Sequence, residues 1–155
     1  MSKEKETVLK FYQSFDERNI DKALEMLSSN FVAHMAGIPQ PLDKNGFKQF
    51  GMEFYSAFLN SKHTFDQIIV EGKRVVTSGT FTATHLGSFQ GLPPTKKQIE
   101  ISIMHIDTVE EEKIVEHWGQ GDAQGLMKQP GILFVPSPKL VFKMITNGLT
   151  KPFTK

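Results

Sequence analysis

The segment from Lys113 to Asp122, with the sequence K-I-V-E-H-W-G-Q-G-D, combines an indole and a carboxylate in a pattern that can support acid–base chemistry. Side chains alternate between the two faces of a strand, so Glu116, Trp118, Gln120 and Asp122 are predicted to share one face. Partial loss of hydration beside the indole would raise the pKa of the Asp122 carboxyl toward the range in which it can both accept and donate a proton. Asp122 is therefore a candidate catalytic residue. The alternative is a surface aspartate that caps the segment after the strand.

Three of the five histidines are further candidates for a site. His105 has the strand parity of three nearby isoleucines, so a regular strand would place it on their apolar side. Met104 and Ile106 make the other face apolar too, so the pattern does not decide which face holds the pocket. His85 shares a face with Phe81, and it either lines a pocket or is a core histidine bonded to the backbone. His34 lies on a short predicted strand, residues 31–35, and could face the same pocket.

The remaining two histidines point to other roles. His117 has the opposite parity to Trp118, so it is expected to face either a dimer partner or a helix. His63 begins a strand and is expected to be exposed. No two histidines have the i, i+4 spacing of a helical metal site, and no H-E-x-x-H motif occurs, so no metal is expected.

Composition narrows the class of protein. The 155 residues fit one domain, and the absence of cysteine excludes disulfides, thiolate nucleophiles and Cys-ligated zinc.

The first 122 residues hold 13 basic and 17 acidic side chains, and five lysines follow them. The acidic first part has no basic stripe with interleaved aromatics, so no nucleic-acid partner is expected. The start has no apolar signal core and no run can span a bilayer, so we expect no integral membrane segment and a cytoplasmic location.

Helical signals dominate the first third of the chain. Ser2 can cap a first helix, a second short helix follows Asn19, and Asp43 can cap a third. The third helix carries Phe50 and Phe54 on one aromatic face, which is more typical of core packing than of a ligand site. We count these two side chains as core that could also line a cavity.

Period-two patterns take over after this helix. Turns rich in glycine or glutamate separate four predicted strands, at residues 63–71, 73–87, 97–109 and 113–121. Helices followed by a meander of long strands indicate an α+β domain, with helices covering one face of a curved sheet.

Three segments together carry a family resemblance: H-L-G-S-F-Q-G-L-P-P-T-K-K at 85–97, K-I-V-E-H-W-G-Q-G-D at 113–122, and G-L-M-K-Q-P-G at 125–131. In this combination and order the chain resembles the SnoaL-like polyketide cyclase (ester cyclase) family of the NTF2-like superfamily. The resemblance implies a cone of three N-terminal helices packed on a curved, mainly antiparallel sheet whose open end holds an apolar pocket. It also implies a homodimer formed through sheet surfaces.

The same resemblance implies a chemistry. Family members close a polyketide ring by intramolecular aldol condensation without metal or cofactor. Asp122 then matches the acid–base carboxylate and His105 the assisting histidine. The residues expected to contact a small apolar ligand are Trp118, His85, His34, Phe50, Phe54 and Phe81. The alternatives are a non-catalytic, dimeric small-molecule-binding protein, or another NTF2-like reaction such as that of an isomerase, a dehydratase or an epoxide hydrolase.

The chain is predicted to divide into a domain at residues 1–131 and a C-terminal extension at 132–155. Within the extension, Ser137 and Pro138 can cap a short amphipathic helix of apolar and basic residues. Such a helix is too short to be stable alone, so we expect it to dock on the domain or on a partner subunit.

Overall fold

The computed structural model describes residues 1–129, together with Pro138, Lys139 and Phe142. The chain begins with helix α1 (Lys3–Asp16), which is capped by the Ser2 side chain. Helix α1 is amphipathic, and its apolar face is buried through the side chains of Val8, Phe11, Tyr12 and Phe15.

Three further helices begin at capped positions. Helix α2 (Ile20–Glu25) follows Asn19, helix α3 (Lys44–Ala57) follows Asp43, and helix α4 (Ala123–Lys128) follows Asp122. In each case the side-chain oxygen of the cap residue accepts a hydrogen bond from a backbone N–H in the first turn, at 2.8–3.1 Å.

Six strands form one sheet in the order β2-β1-β6-β5-β4-β3. All neighbouring pairs are antiparallel except β1 and β6, which are parallel. Register shifts interrupt β3 at two places and β5–β6 at one, and such bulges bend a sheet. The strands are β1 (Leu27–Met35), β2 (Leu42–Asp43), β3 (Phe58–Glu71), β4 (Arg74–His85), β5 (Gln98–Glu110) and β6 (Lys113–Gly121).

Helices α1 and α3 cover one face of this sheet, which we call the inner face. Phe11 of α1 and Phe47 of α3 both approach the ring of His117, and Tyr12 stacks on His105. Helices α1 and α3 do not cover the opposite face, called the outer face, where residues 36–41 form one side of a cleft. Alternation along β5 and β6 therefore assigns each side chain to one face. The largest fully buried apolar side chains of the core are Phe11, Phe31, Phe58, Ile99 and Ile114.

The predicted α+β class, with helices packed on a curved sheet, is confirmed. The sheet is mixed because β1 pairs in parallel with β6, and α4 is an additional helix that the sequence patterns did not predict. Strand β4 ends at His85, before the predicted residue 87. Here the N–H groups of Leu86 and Gly87 donate to the carbonyl of Ala57 and leave the ladder. The predicted C-terminal helix lies outside the described residues, apart from the three named above.

Candidate functional site

The inner face holds a buried carboxylate, Asp107 of β5, whose two oxygens each have a partner. Oδ1 lies 2.7 Å from Nδ1 of His117 on β6, and Oδ2 accepts a hydrogen bond of 2.9 Å from the hydroxyl of Tyr12 on α1. Asp107 is fully buried and His117 almost so. A buried carboxylate is stable only when it is paired and hydrogen-bonded, and here it is both.

His105 lies two residues before Asp107 on the same strand and faces the same way. Its ring stacks on Tyr12 with centroids 4.8 Å apart and an interplanar angle of 24°. Its Nδ1 lies 3.3 Å from Oγ1 of Thr77 on β4. Among residues 1–129 no hydrogen-bond partner is found for its Nε2, and the side chain keeps some exposure. One ring nitrogen is therefore held and the other is left for a further group.

Burial lowers the pKa of His105 well below that of free histidine, and the charges of His117 and His63 lower it further. The imidazole is thus uncharged at neutral pH. Burial also raises the pKa of Tyr12 well above its ordinary value, and the Asp107 carboxylate adds to this effect. Tyr12 therefore remains a phenol and can act only as a hydrogen-bond donor to Asp107.

A second histidine–aspartate pair lies beside this cluster. Nδ1 of His63 on β3 is 2.6 Å from Oδ1 of Asp16 at the end of α1, and the backbone N–H of His63 donates to Oδ2 at 3.0 Å. The ring of His63 is 5.1 Å from that of Tyr12. The prediction that His63 is exposed is wrong, because the Asp16 carboxylate holds its side chain in the interior.

The structure places Asp122 elsewhere. It is exposed, it lies one residue beyond β6, and its Oδ1 accepts the backbone N–H of Gly125 at 2.8 Å as the N-cap of α4. The predicted position of this carboxyl in a water-poor hollow is therefore wrong, and the alternative of a capping aspartate matches the geometry. Where the strand ends, the free N–H groups of the next helix take up the carboxylate.

Trp118 and His34 do come together, but on the outer face. Their rings stack with centroids 3.9 Å apart, and Nε2 of His34 lies 3.5 Å from Oε1 of Glu116. They line an open cleft of about 510 Å³, whose other walls include Met104 and Ile106. The predicted shared face of Glu116, Trp118 and Gln120 is confirmed, but it is the face that the helices leave uncovered.

The remaining predicted ligand contacts form part of an aromatic row. Phe50 stacks on Phe54 at 5.9 Å, and Phe54 lies 5.5 Å from Phe81. Phe81 in turn lies 5.1 Å from His63, which is next to Tyr12. This row leads from half-buried side chains on α3 to the polar cluster at His105.

His85 is a buried core histidine, which is one of the two alternatives predicted for it. Its Nδ1 lies 3.0 Å from Oγ1 of Thr95, and its ring stacks on Phe58 at 5.1 Å. Its Nε2 is buried with no hydrogen-bond partner among the described residues. The predicted bond to the backbone is replaced by the Thr95 hydroxyl.

The structure thus divides the predicted residues among three places. His105, Phe50, Phe54, Phe81 and His85 lie inside, Trp118 and His34 lie on the outer face, and Asp122 lies at the end of β6. The sequence patterns missed Tyr12, Asp107, Thr77 and His117 as members of a polar cluster. One signal was available: Asp107 has the same parity as His105 on an otherwise apolar strand face, and an acid in such a position must find a partner.

Two kinds of feature are absent from the residues that the structure describes. In that part of the chain no group of three or more His, Cys, Asp or Glu side chains could hold a metal ion. No helix within the same range is long and apolar enough to cross a bilayer.

The chain matches one known protein family over most of its length. The model of the family described as SnoaL-like polyketide cyclase matches residues 6–130. Because the match covers most of the chain, the protein belongs to the SnoaL-like polyketide cyclase family, and its fold is that of the NTF2-like proteins. No curated protein matches the chain at a significant level.

Solved structures support the same assignment of the fold. IdmH from Streptomyces antibioticus, a proposed polyketide cyclase, is 24% identical with a TM-score of 0.75, over 83% of this chain and 99% of that one. A proposed polyketide cyclase from Acidithiobacillus ferrooxidans is 27% identical with a TM-score of 0.71, over 83% and 94%. AclR from Streptomyces galilaeus, a proposed hydroxylase, is 22% identical with a TM-score of 0.77, over 91% and 92%. The names of these proteins differ in reaction, so the shared fold does not fix the chemistry.

Proposed function

We propose that the protein is a cofactor-independent acid–base enzyme that closes a ring by intramolecular aldol condensation of a small apolar carbonyl compound. The observation that carries this proposal is His105, an uncharged, mostly buried imidazole with one ring nitrogen held by Thr77 and the other without a partner in the described chain. In this proposal His105, and not the exposed Asp122, is the catalytic group.

The aldol step needs a base that removes a proton α to one carbonyl and an acid that protonates the alkoxide formed at the other. Nε2 of His105 takes the α proton, the enolate carbon bonds to the second carbonyl carbon, and the imidazolium returns the proton to the alkoxide oxygen. Because burial lowers the pKa of His105, its imidazolium is a strong proton donor for this return. The neutral imidazole is correspondingly a weak base. A substrate whose α proton is acidified by a second carbonyl group is therefore expected to react fastest.

The aromatic row supports an apolar substrate. Phe50 and Phe54 are half-buried on α3, and Phe81 and Tyr12 continue the row to His105. An apolar chain folded against these rings would bring its two reacting carbons together, which supplies much of the acceleration of an intramolecular reaction.

A fluorogenic retro-aldol reaction tests the proposal. The probe is methodol, an apolar β-hydroxyketone in which cleavage of one carbon–carbon bond releases a fluorescent methoxynaphthaldehyde and acetone. By microscopic reversibility, a base takes the hydroxyl proton and its conjugate acid protonates the enolate carbon. We expect the protein to cleave methodol faster than buffer does, and His105→Gln to reduce the enzymatic rate by about 10²-fold or more.

Asp122→Asn is the matched control, because an asparagine can still cap α4 but cannot act as an acid or base. It is expected to retain the wild-type rate. An unchanged rate in His105→Gln would contradict the proposal, and a loss of rate confined to Asp122→Asn would restore the carboxylate as the catalytic group.

A non-catalytic small-molecule-binding protein is the second candidate. It is favoured by the exposure of Asp122 and by the density of aromatic side chains on the inner face, where Phe54 packs against Tyr55, Phe58, Phe81 and Phe89. Saturable binding of methodol with no acceleration of its cleavage, in wild type and His105→Gln alike, would establish this second function.

We also propose that the protein is a homodimer formed through the outer face. Met104, Ile106 and Trp118 are 52%, 38% and 49% exposed on this face, and contiguous exposed apolar side chains mark association sites. Met104→Glu is expected to yield a monomer in sedimentation equilibrium. Met52→Glu is the matched control, because Met52 is 51% exposed on α3, away from this face. Equal masses for the two variants would contradict the outer-face interface.

A further inference from the structure

Asp107 connects three elements of the fold through one carboxylate. It belongs to β5, its Oδ1 faces Nδ1 of His117 on β6 at 2.7 Å, and its Oδ2 accepts the Tyr12 hydroxyl of α1 at 2.9 Å. No part of Asp107 is exposed. Helix α1 and the β5–β6 hairpin are thus tied together by two hydrogen bonds.

Stability alone does not account for this arrangement. Removing a carboxylate from water is costly, and well-packed apolar residues of similar volume are often at least as stabilising as a buried ion pair. Phe11 and Phe47 already pack against the ring of His117, so an apolar filling would continue the surrounding core. The polar cluster therefore calls for a further role.

The cluster surrounds His105. The Tyr12 ring stacks on it with centroids 4.8 Å apart, the His117 ring centroid is 5.5 Å away, and Thr77 Oγ1 is 3.3 Å from its Nδ1. The groups that face His105 from the elements packed around it are Tyr12 of α1, His63 and Phe65 of β3, Thr77 of β4 and His117 of β6.

We propose that Asp107, Tyr12 and His117 are positioning residues that hold the His105 ring in one plane and one neutral tautomer. In this tautomer the Nδ1–H is donated to Thr77, and the lone pair of Nε2 remains for the substrate. The inference rests on the proposed function, in which His105 is the base, and it assigns the groups that prepare that base.

The order of support follows from the contacts. The stacked phenol ring limits rotation of the His105 ring, and the phenol is itself fixed because its hydroxyl donates to Asp107. Asp107 is fixed in turn by His117, which is wedged above Gly119. A Cβ at Gly119 would lie only 2.8 Å from Nε2 of His117 and 3.0 Å from Sδ of Met35. A residue held through such a network keeps its geometry without touching the substrate.

The inference is tested on the ligand-free, full-length protein by nitrogen-15 NMR of the histidine rings, which reports the tautomer and the titration of each imidazole. In wild type we expect His105 to be a single neutral tautomer with a proton on Nδ1. Thr77→Val removes the direct partner of Nδ1, so it shows how the spectrum changes when that tautomer is lost.

Two variants weaken the hydrogen bonds that hold the Tyr12 ring against His105. Asp107→Asn removes the charge that both Tyr12 and His117 contact, and Tyr12→Phe removes one hydroxyl but keeps the stacked ring. In both we expect a mixture of His105 tautomers. We also expect a titration midpoint that rises toward the ordinary value of about 6.5, since the loosened ring becomes hydrated. Asp122→Asn is the control that leaves the His105 signals unchanged.

Backbone amide spectra establish that each variant is folded, and Tyr12→Phe serves alone if Asp107→Asn does not fold. A folded variant pair in which His105 keeps the wild-type tautomer and midpoint would overturn the inference and make the cluster structural only. The methodol assay is separate. Loss of tautomer control without any catalysis would contradict the proposed function but leave the positioning role standing.

Discussion

The two faces of the β5–β6 hairpin are built from alternate residues of the same two strands, yet they present opposite chemistry. On the inner face, Asp107 and His117 are buried and each polar atom of their contact has a partner. On the outer face, Met104, Ile106 and Trp118 are large, apolar and substantially exposed. One face hides polar groups and the other displays apolar ones.

The two faces therefore contribute free energy in different ways, one through buried polar contacts and the other through apolar surface that a partner can cover. A buried carboxylate depends on its partners, so the inner face is rigid and intolerant of change. Exposed apolar side chains stabilise the protein only when another surface covers them, so substitutions on the outer face cost little stability in the isolated chain. We infer that the inner face serves the reaction and the outer face serves association.

The largest effect is expected at Asp107. Asp107→Ala would leave the Tyr12 hydroxyl and the His117 ring buried without their shared acceptor, and we expect a loss of about 3–5 kcal/mol in the free energy of unfolding. Urea denaturation followed by circular dichroism measures this loss.

A matched replacement of the whole contact provides the control. The triple variant Tyr12→Phe, Asp107→Leu and His117→Phe removes all three polar groups at once and is expected to recover part of the stability lost in Asp107→Ala. A loss below about 1 kcal/mol in Asp107→Ala would show that the inner contact is not buried in solution.

The second effect concerns pH. Because the folded pKa of His105 is below its ordinary value, there is a window below about 6.5 in which the unfolded chain binds a proton that the folded chain does not. In that window stability falls as the pH falls, by at most about 1.4 kcal/mol per pH unit from this group. Above about pH 6.5 the group contributes no pH dependence.

His105→Gln is expected to remove this slope. The measurement is the free energy of unfolding at pH values of about 7.5, 6.5 and 5.5 for both proteins. The difference between the two curves isolates His105, because every other titratable group is present in both proteins. Parallel curves would mean that His105 has an ordinary pKa and is open to water.

A third, smaller effect separates the end of β6 from both faces. Asp122→Ala removes the acceptor for the N–H of Gly125, and we expect a loss of about 1 kcal/mol or less. Asp122→Asn is expected to lose only a few tenths of that, about 0.3 kcal/mol, since asparagine caps almost as well. Equal losses for the two substitutions, each above about 2 kcal/mol, would show that the carboxylate has an ionic partner in solution.

Local patterns predicted much of the fold. The caps at Ser2 and Asp43 and the strand at 113–121 were recognised because each depends on neighbours within a few residues. Parity also placed His105 on the same face of β5 as the isoleucines. These features are set by short-range hydrogen bonding and by the alternation of a strand.

The composition of the site could not be obtained in this way. Tyr12 and Asp107 are 95 residues apart, and only the docking of α1 onto the sheet brings them together. Both faces of β5 carry apolar residues, so the pattern could not tell which one the helices cover. Asp122 lies one residue beyond the end of β6, so strand alternation no longer determines where its side chain lies. The free backbone N–H groups of α4 bind its carboxylate instead.

The smallest effect is expected on the outer face. Met104→Gln should change the stability of the dissociated chain by less than about 0.5 kcal/mol, because the side chain is half exposed there and leaves no cavity. If the outer face is the dimer interface, the wild-type urea midpoint rises with protein concentration, since association stabilises the folded state by mass action. Met104→Gln should reduce that concentration dependence while leaving the midpoint at high dilution unchanged.

The fluorescence of Trp118, the chain's single tryptophan, reports the same association, because acrylamide reaches it in the monomer and is excluded from it in the dimer. A wild-type midpoint and quenching that are both independent of concentration, in a protein of monomeric mass, would reverse the comparison. The exposed apolar residues would then face solvent, and the cleft beside Trp118 would become a ligand site in its own right.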